Sequence, residues 1–257
     1  MRTSMANLPV AVQMFTLRDE AGADFAGTIC KVAGMGYNGV EFAGYGGLSA
    51  AEAKKLLDDC GLKPAGAHEG IERFQDSFEE TVEFHKELGN KFVAIPFLGP
   101  DRWDKPGGWK ELAAQMTEIG HRLRAEGMQL CYHNHSFEFQ KQDGEYGLDI
   151  LYANSDPQAL MAELDTYWVQ HGGEDPVAYI KKMHGRLPLL HLKDMASGDD
   201  KAFAEVGEGI LDIKGIVAAA KEAGTQWIIV EQDSCPGPAI DSVKKSIDNM
   251  KKMGLAD

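Results

Sequence analysis

The chain has 257 residues, 44% of them hydrophobic and 26% charged, with a formal net charge of −14 at pH 7. That length and balance suit a soluble globular protein built as one large domain, residues 1–257. The negative charge argues against duplex nucleic acid and anionic membrane surfaces as partners, and no 18-residue apolar run suggests a spanning helix.

Four cysteines, Cys30, Cys60, Cys131 and Cys235, are widely spaced with no C-x-x-C pair. Free buried thiols in a reducing compartment are therefore expected. Residues 1–8 lack the apolar core of a signal peptide, which points to a cytoplasmic location.

Short apolar runs alternate with longer amphipathic segments from one end to the other. Residues 9–16 (PVAVQMFT) predict a strand, followed by a helix over 24–35. Residues 39–43 (GVEFA) predict the second strand. Its helix starts at Ser49, an N-cap with Glu52 in the capping-box position, and stops at Gly61. Residues 62–68 form the third strand, with a helix from about Ser77, where Glu80 again stands three residues on, to Gly89. Residues 91–97 (KFVAIPF) are the fourth strand, and a Gly-, Pro- and Trp-containing loop over 99–108 leads to a long helix ending near Gly127. The fifth strand spans 128–133, with a short helix near 147–154. The sixth spans 160–165, followed by a helix over 175–184 with Pro176 in its first turn. The seventh spans 187–193, with a helix near 211–223, and the eighth 226–231, with a last helix over 239–253.

Eight strands alternating with helices in a chain of this length predict a closed (β/α)8 TIM barrel rather than an open sheet. No G-x-G-x-x-G follows the first strand, against a dinucleotide site. In such barrels the chemistry lies where the strands end. The polar groups there are Gln13, Glu41 and His68 early in the chain. His133 with His135, Glu163 with Asp165, His191 with Lys193 and Asp194, and Glu231 with Asp233 follow.

The stretch Tyr132-His133-Asn134-His135-Ser136-Phe137-Glu138 is the most informative, because alternation puts His133 and His135 on one face. His133, Asp165, His191 and Glu231 end four consecutive strands. Two imidazoles and two carboxylates suit Mn2+, Co2+, Zn2+ or Fe2+ better than Ca2+. Taken singly, each residue would read as a cap or a loop anchor; at equivalent positions the four read as ligands of one divalent metal ion. Glu163 is expected deeper in the barrel or paired with Lys193, and Cys131 in the core. His85, His121, His171 and His184 read as surface or capping residues. Trp168, Phe97, Trp103 and Trp109 read equally as packing or as walls of a sugar-sized pocket. Gly207-Glu208-Gly209 precedes a helix and reads as an entry turn rather than a phosphate cradle.

VQMFTLRDE, GYNGVEF, PAGAHEG, LCYHNHSFEF, ELDTYW, LLHLKD, VGEGILDI and VEQD together make nearly the whole chain resemble the xylose isomerase-like TIM barrels. That group includes sugar phosphate isomerases and epimerases, inosose dehydratase and endonuclease IV. The resemblance implies one divalent metal held by strands five to eight, commonly by Glu, Asp, His and Glu. The last three match Asp165, His191 and Glu231 in type, and His133 departs from the usual Glu. Family epimerases use two metal-bound glutamates on opposite faces of the substrate carbon, and this chain retains one. Trp168 stands where those enzymes carry a substrate-binding His, and Lys193 is the nearest cation to their Arg. The His-x-His pattern is closer to the inosose dehydratase branch, while endonuclease activity is opposed by the charge.

The expected function is a metal-dependent isomerase or epimerase acting on a keto-sugar through an enediolate. Glu231 removes the proton, His135 or His68 returns it, and Gln13, Glu41, Lys193, Trp168 and Glu138 hold the substrate. The rival readings are a lyase or dehydratase on a keto-sugar or keto-inositol, and a non-catalytic sugar-binding barrel. Oligomeric state is left open, a homo-oligomer included.

Overall fold

Val10 to Gln13 is buried on both faces, as a strand wrapped by helices must be, and it begins the barrel as β1 (Val10–Gln13). The remaining barrel strands are β2 (Gly39–Phe42), β3 (Lys63–His68), β4 (Phe92–Ile95), β5 (Gln129–His133), β6 (Leu160–Asp165), β7 (Leu189–Leu192) and β8 (Trp227–Val230). The computed structural model describes residues 6–142 and 144–257. Residues 1–5, part of the segment read for a signal peptide, lie outside the described residues, as does Asp143. Each strand runs parallel to its neighbours, and β8 closes on β1 with Val10 opposite Ile228.

The expected helix follows every strand. Phe25–Met35, Ala50–Cys60, Phe78–Leu88, Gly108–Ala125, Gly147–Ala153, Pro176–Lys182, Ile213–Ala223 and Ala239–Lys252 succeed β1 to β8 in turn. Local chemistry sets their ends. Ser49 and Glu52 form a reciprocal capping box, and Asp175 accepts from the amides of Val177 and Ala178 ahead of Pro176. Gly61 ends its helix at φ +73°, a left-handed conformation that a side chain would strain.

Several expectations are corrected. Ser77 does not cap through its side chain, because the helix Ile71–Asp76 runs into it and its amide donates to Arg73. Further short helices, Arg18–Ala23, Pro100–Trp103 and Thr166–His171, follow strand ends that read as loops. His85 is fully buried rather than superficial, with Asn90 and Glu69 near its two ring nitrogens at 3.1 and 3.3 Å. Cys30 and Cys60 are disulfide-bonded, with Cα atoms 5.5 Å apart, because adjacent outer helices bring them together; Cys131 and Cys235 are free. No helix among the described residues is long and apolar enough to cross a membrane.

The interior is layered. Ala11, Ala65, Phe92, Ala94, Cys131, Leu189 and Ile229 fill the barrel in an apolar plug, below which Trp227 packs. A Cβ on Gly39 would clash with the Lys63 carbonyl oxygen and stand 3.0 Å from the Trp227 ring, so only glycine fits there. On β1, β5, β7 and β8, strand alternation brings the next inward residue two positions after Ala11, Cys131, Leu189 and Ile229, above that plug. These are Gln13, His133, His191 and Glu231, and the interior changes there from apolar to ionic.

Candidate active site

Parallel pairing sets the side chains abreast. Gln13 lies opposite Glu41, His133 opposite Glu163, and Asp165 opposite His191. Beneath the mouth, Gln13, Glu41, Glu163, Asp165 and His191 have no exposed surface, and His133, Lys193 and Glu231 are at most 5% exposed. Groups buried this deeply must be paired.

The pairs form two clusters joined by His191. In the upper one, His133 Nε2 lies 3.2 Å from Asp165 Oδ2 and 4.0 Å from Glu231 Oε2, and His191 Nδ1 lies 2.8 Å from Glu231 Oε2. Lys193 Nζ reaches Asp165, Glu231 and Asp233 at 3.0, 2.7 and 2.6 Å. In the lower cluster, His191 Nε2 lies 2.6 Å from Glu41 Oε2, and Gln13 Nε2 donates to the same oxygen at 2.8 Å. His68 Nε2 lies 2.7 Å from Glu163 Oε2 and 3.3 Å from Glu41. Glu163 thus lies deep, as expected, but is paired with His68 and not with Lys193.

Burial and charge divide these groups. Burial alone would raise the Glu41 carboxyl, but His68 and His191 hold it down at about 2. Burial and the neighbouring Glu41 charge push Glu163 up to about 7. Burial would likewise raise Glu231, yet Lys193 and His191 hold it well below the carboxylate range, so it stays ionised. Burial, helped by His133 and Lys193, pulls His135 down to about 3, and the same burial pushes Asp233 up to about 6 against the pull of Lys193. Burial would lower His68, but the Glu41 and Glu163 carboxylates raise it. An ionised Glu231 and a His68 that more readily keeps its proton therefore share one chamber, the combination that base and acid roles require.

A cavity of about 420 Å3 opens above, within the range of small-ligand sites. Phe15, Ala43, Pro96 and Phe97 supply its apolar wall; His68, His133, His135, Lys193, Glu231 and Asp233 supply its polar lining. Of the residues expected to bind substrate, Lys193 lines this cavity, whereas Trp168 stands behind the lining, packed against His135 with ring centroids 5.3 Å apart. Gln13 and Glu41 lie beneath the floor. Glu138 is also enclosed, accepting from the Tyr132 hydroxyl at 2.7 Å and the His135 amide at 2.9 Å. Phe97 forms wall, whereas Trp103 and Trp109 stack on each other inside the protein.

Sequence pattern does not single out Phe15, Ala43 or Pro96, whose roles come only from where their strands end. Asn134 is another such residue. Its side-chain oxygen Oδ1 accepts from the Asp165 amide at 3.0 Å and holds the end of β6 in place.

His133, Asp165, His191 and Glu231 offer donor atoms all within 4.8 Å of one another, and Glu41, His68, Glu163 and His191 make a second such group. The upper set suits a divalent metal ion. It mixes imidazole and carboxylate donors, and His133 Nε2 and His191 Nδ1 both face the Glu231 carboxylate, at 4.0 and 2.8 Å. Carboxylates of Asp165, Glu231 and Asp233 crowd around the fixed positive charge of Lys193, an excess that a divalent cation offsets.

The profile of the family described as xylose isomerase-like TIM barrel matches residues 29–253. An inosose dehydratase of Lacticaseibacillus casei is 27% identical over 241 residues, which cover 79% of this chain and 80% of that protein. One from Clostridium beijerinckii is 24% identical over 252 residues, 84% of each chain. A crystal structure of a sugar phosphate isomerase/epimerase from Parabacteroides distasonis superposes with a TM-score of 0.84 at 24% identity, covering 99% of this chain and 97% of the other. With the profile spanning seven of the eight strands, from the helix after β1 onward, and the closed barrel agreeing with it, the chain belongs to the xylose isomerase-like TIM barrel family.

Proposed function

We propose that this protein is a divalent-metal-dependent isomerase or epimerase of an unphosphorylated keto-sugar or sugar derivative, and that residues 1–257 form its one domain. The observation that carries the reading is an ionised, buried Glu231 on the floor of a cavity that it shares with the histidines His68 and His135. His133, Asp165, His191 and Glu231 would hold the metal. When bound, a divalent ion of the Mn2+, Co2+, Zn2+ or Fe2+ kind polarises a carbonyl and offsets charge on its oxygen. Glu231 removes the proton alpha to that carbonyl, giving an enediolate. His68 returns the proton to the neighbouring carbon or to the opposite face, and the neutral His135 lines the cavity as a hydrogen-bond partner for the substrate. Lys193 donates to a substrate oxygen while keeping Glu231 ionised, and the apolar wall packs against the C–H face of the sugar.

An unphosphorylated substrate follows from the loop after β7. Barrel enzymes commonly bind phosphate on amides near the ends of strands seven and eight. Here the amides of Met195, Gly207, Gly209 and Leu211 all donate to the Asp194 carboxylate. The protein's own anion fills that cradle.

Dehydration is the second reading, supported by the unlike pair of Glu231 and histidine and by the names of the curated relatives. The same proton loss would be followed by departure of a β-hydroxyl, protonated by His68. Incubating metal-loaded protein with unphosphorylated keto-sugars and keto-polyols in D2O separates the readings. Carbon-bound deuterium without loss of mass supports isomerisation or epimerisation; loss of water with an enone absorbance supports dehydration. Sugar binding with neither event would leave a binding barrel and overturn the enzymatic reading.

A further inference from the structure

His191 presents both ring nitrogens to carboxylates. Nδ1 faces Glu231 at 2.8 Å, on the side where His133 and Asp165 converge, and Nε2 faces Glu41 at 2.6 Å. An imidazole nitrogen that binds a metal must carry a free lone pair, so the proton of the neutral ring has to sit on the other nitrogen. Glu41 is the acceptor placed to keep it there.

The barrel is locally shaped around this one carboxylate. The pairing of β2 with β3 slips between Val40 and Glu41, so that Val40 lies opposite Pro64 but Glu41 lies opposite Gly66. Such an irregularity re-aims a side chain. Gly66 leaves the space the carboxylate needs, since a Cβ there would stand 2.5 Å from Glu41 Oε1. That oxygen is buried without a partner, whereas Oε2 receives both Gln13 and His191. His68 Nε2 is nearer Glu163, at 2.7 Å, than Glu41, at 3.3 Å, so Glu41 is left to His191. Glu41 has no exposed surface and does not line the cavity, which removes it from reach of a sugar hydroxyl.

We propose that Glu41 is a positioning residue that holds the His191 proton on Nε2 and presents a bare Nδ1 to the site shared with His133, Asp165 and Glu231, setting the affinity of that site for a divalent ion. This inference rests on the metal-centre reading above and adds to it a carboxylate that touches neither metal nor substrate. Outer partners of metal-bound histidines typically contribute roughly 10- to 100-fold to affinity.

The test uses the full chain as Glu41→Gln, Glu41→Leu and Gly66→Ala proteins, the last displacing the carboxylate without removing it. Dissociation constants for Mn2+, Co2+ and Zn2+ are measured by chelator competition, and the His191 tautomer by histidine-selective 15N NMR of Zn2+-loaded protein. The expected result is roughly 10- to 100-fold weaker binding in Glu41→Leu, a smaller loss in Glu41→Gln, which keeps a neutral acceptor, and weaker binding in Gly66→Ala. The hydrogen-bonded Nε2–H signal of the wild type should weaken in step. Folded variants that bind the ions as tightly as wild type, with a higher KM for sugar, would overturn the inference and make Glu41 a substrate contact. A wild-type protein that binds none of the three ions would overturn the metal centre itself.

Discussion

Asp194→Ala tests whether the loop after β7 is closed to phosphate. The Asp194 carboxylate accepts from the amides of Met195, Gly207, Gly209 and Leu211 at 2.8, 2.9, 3.0 and 3.1 Å. In the variant, water reaches the exposed Gly207 and the half-buried Gly209, whereas Met195 and Leu211 are buried. A buried donor left without a partner costs about 1–3 kcal/mol, so this pair predicts a loss of roughly 2–6 kcal/mol. For a chain of this size that corresponds to a fall in Tm of roughly 5–20 °C, read by circular dichroism. The vacated amides should then accept an added anion. Sulfate or phosphate at ten times its Kd would return about 1.4 kcal/mol to Asp194→Ala and leave wild type unmoved. A variant melting within about 2 °C of wild type would refute the assigned energetics. Equal stabilisation of wild type by phosphate would show the amides open, and the argument for an unphosphorylated substrate would fall.

Glu231→Gln and His191→Ala proteins should lose their divalent metal on dialysis, measured by elemental analysis; stoichiometric metal retained by either would refute the site. Burial raises Glu138 to about 7, from an ordinary value of 4.5. Between those pH values the folded chain keeps a proton that the unfolded chain has released, so wild type loses stability as pH rises through that window. Glu138→Gln lacks this term, and its stability relative to wild type should climb by roughly 3 kcal/mol from pH 4.5 to 7 in urea unfolding. A pH-independent difference would remove the burial argument.

Where the chain carries local signals, the fold is legible in them. Ser49 with Glu52, Asp175 with Pro176, and Gly61 mark helix ends through contacts only a few residues long. Alternation placed His133, His191 and Glu231 inward because it needs nothing beyond the strand itself. Thr166–His171 carries no such signal, because a helix of six residues capped by Asp165 has a spacing that reads equally well as a loop. The partner of Glu163 was equally hidden. Parity puts Glu163 inside, but choosing His68 over Lys193 depends on a contact 95 residues away in sequence, made only when the barrel closes. The Cys30–Cys60 bond depends in the same way on outer helices packing side by side. Glu41 shows a different limit: no pattern in GVEF announces the slipped register that turns it beneath His191.

The two-sided engagement of His191 makes it a strut between the mouth of the barrel and its sealed interior. A ligand with one donor end, such as Asp or Cys, could occupy the upper site but would leave the buried Glu41 with only Gln13 and the more distant His68 as partners. Replacing this histidine therefore damages the scaffold as well as the chemistry. The upper site and the sealed layer beneath it therefore share a single side chain, and neither can be altered at this position without the other.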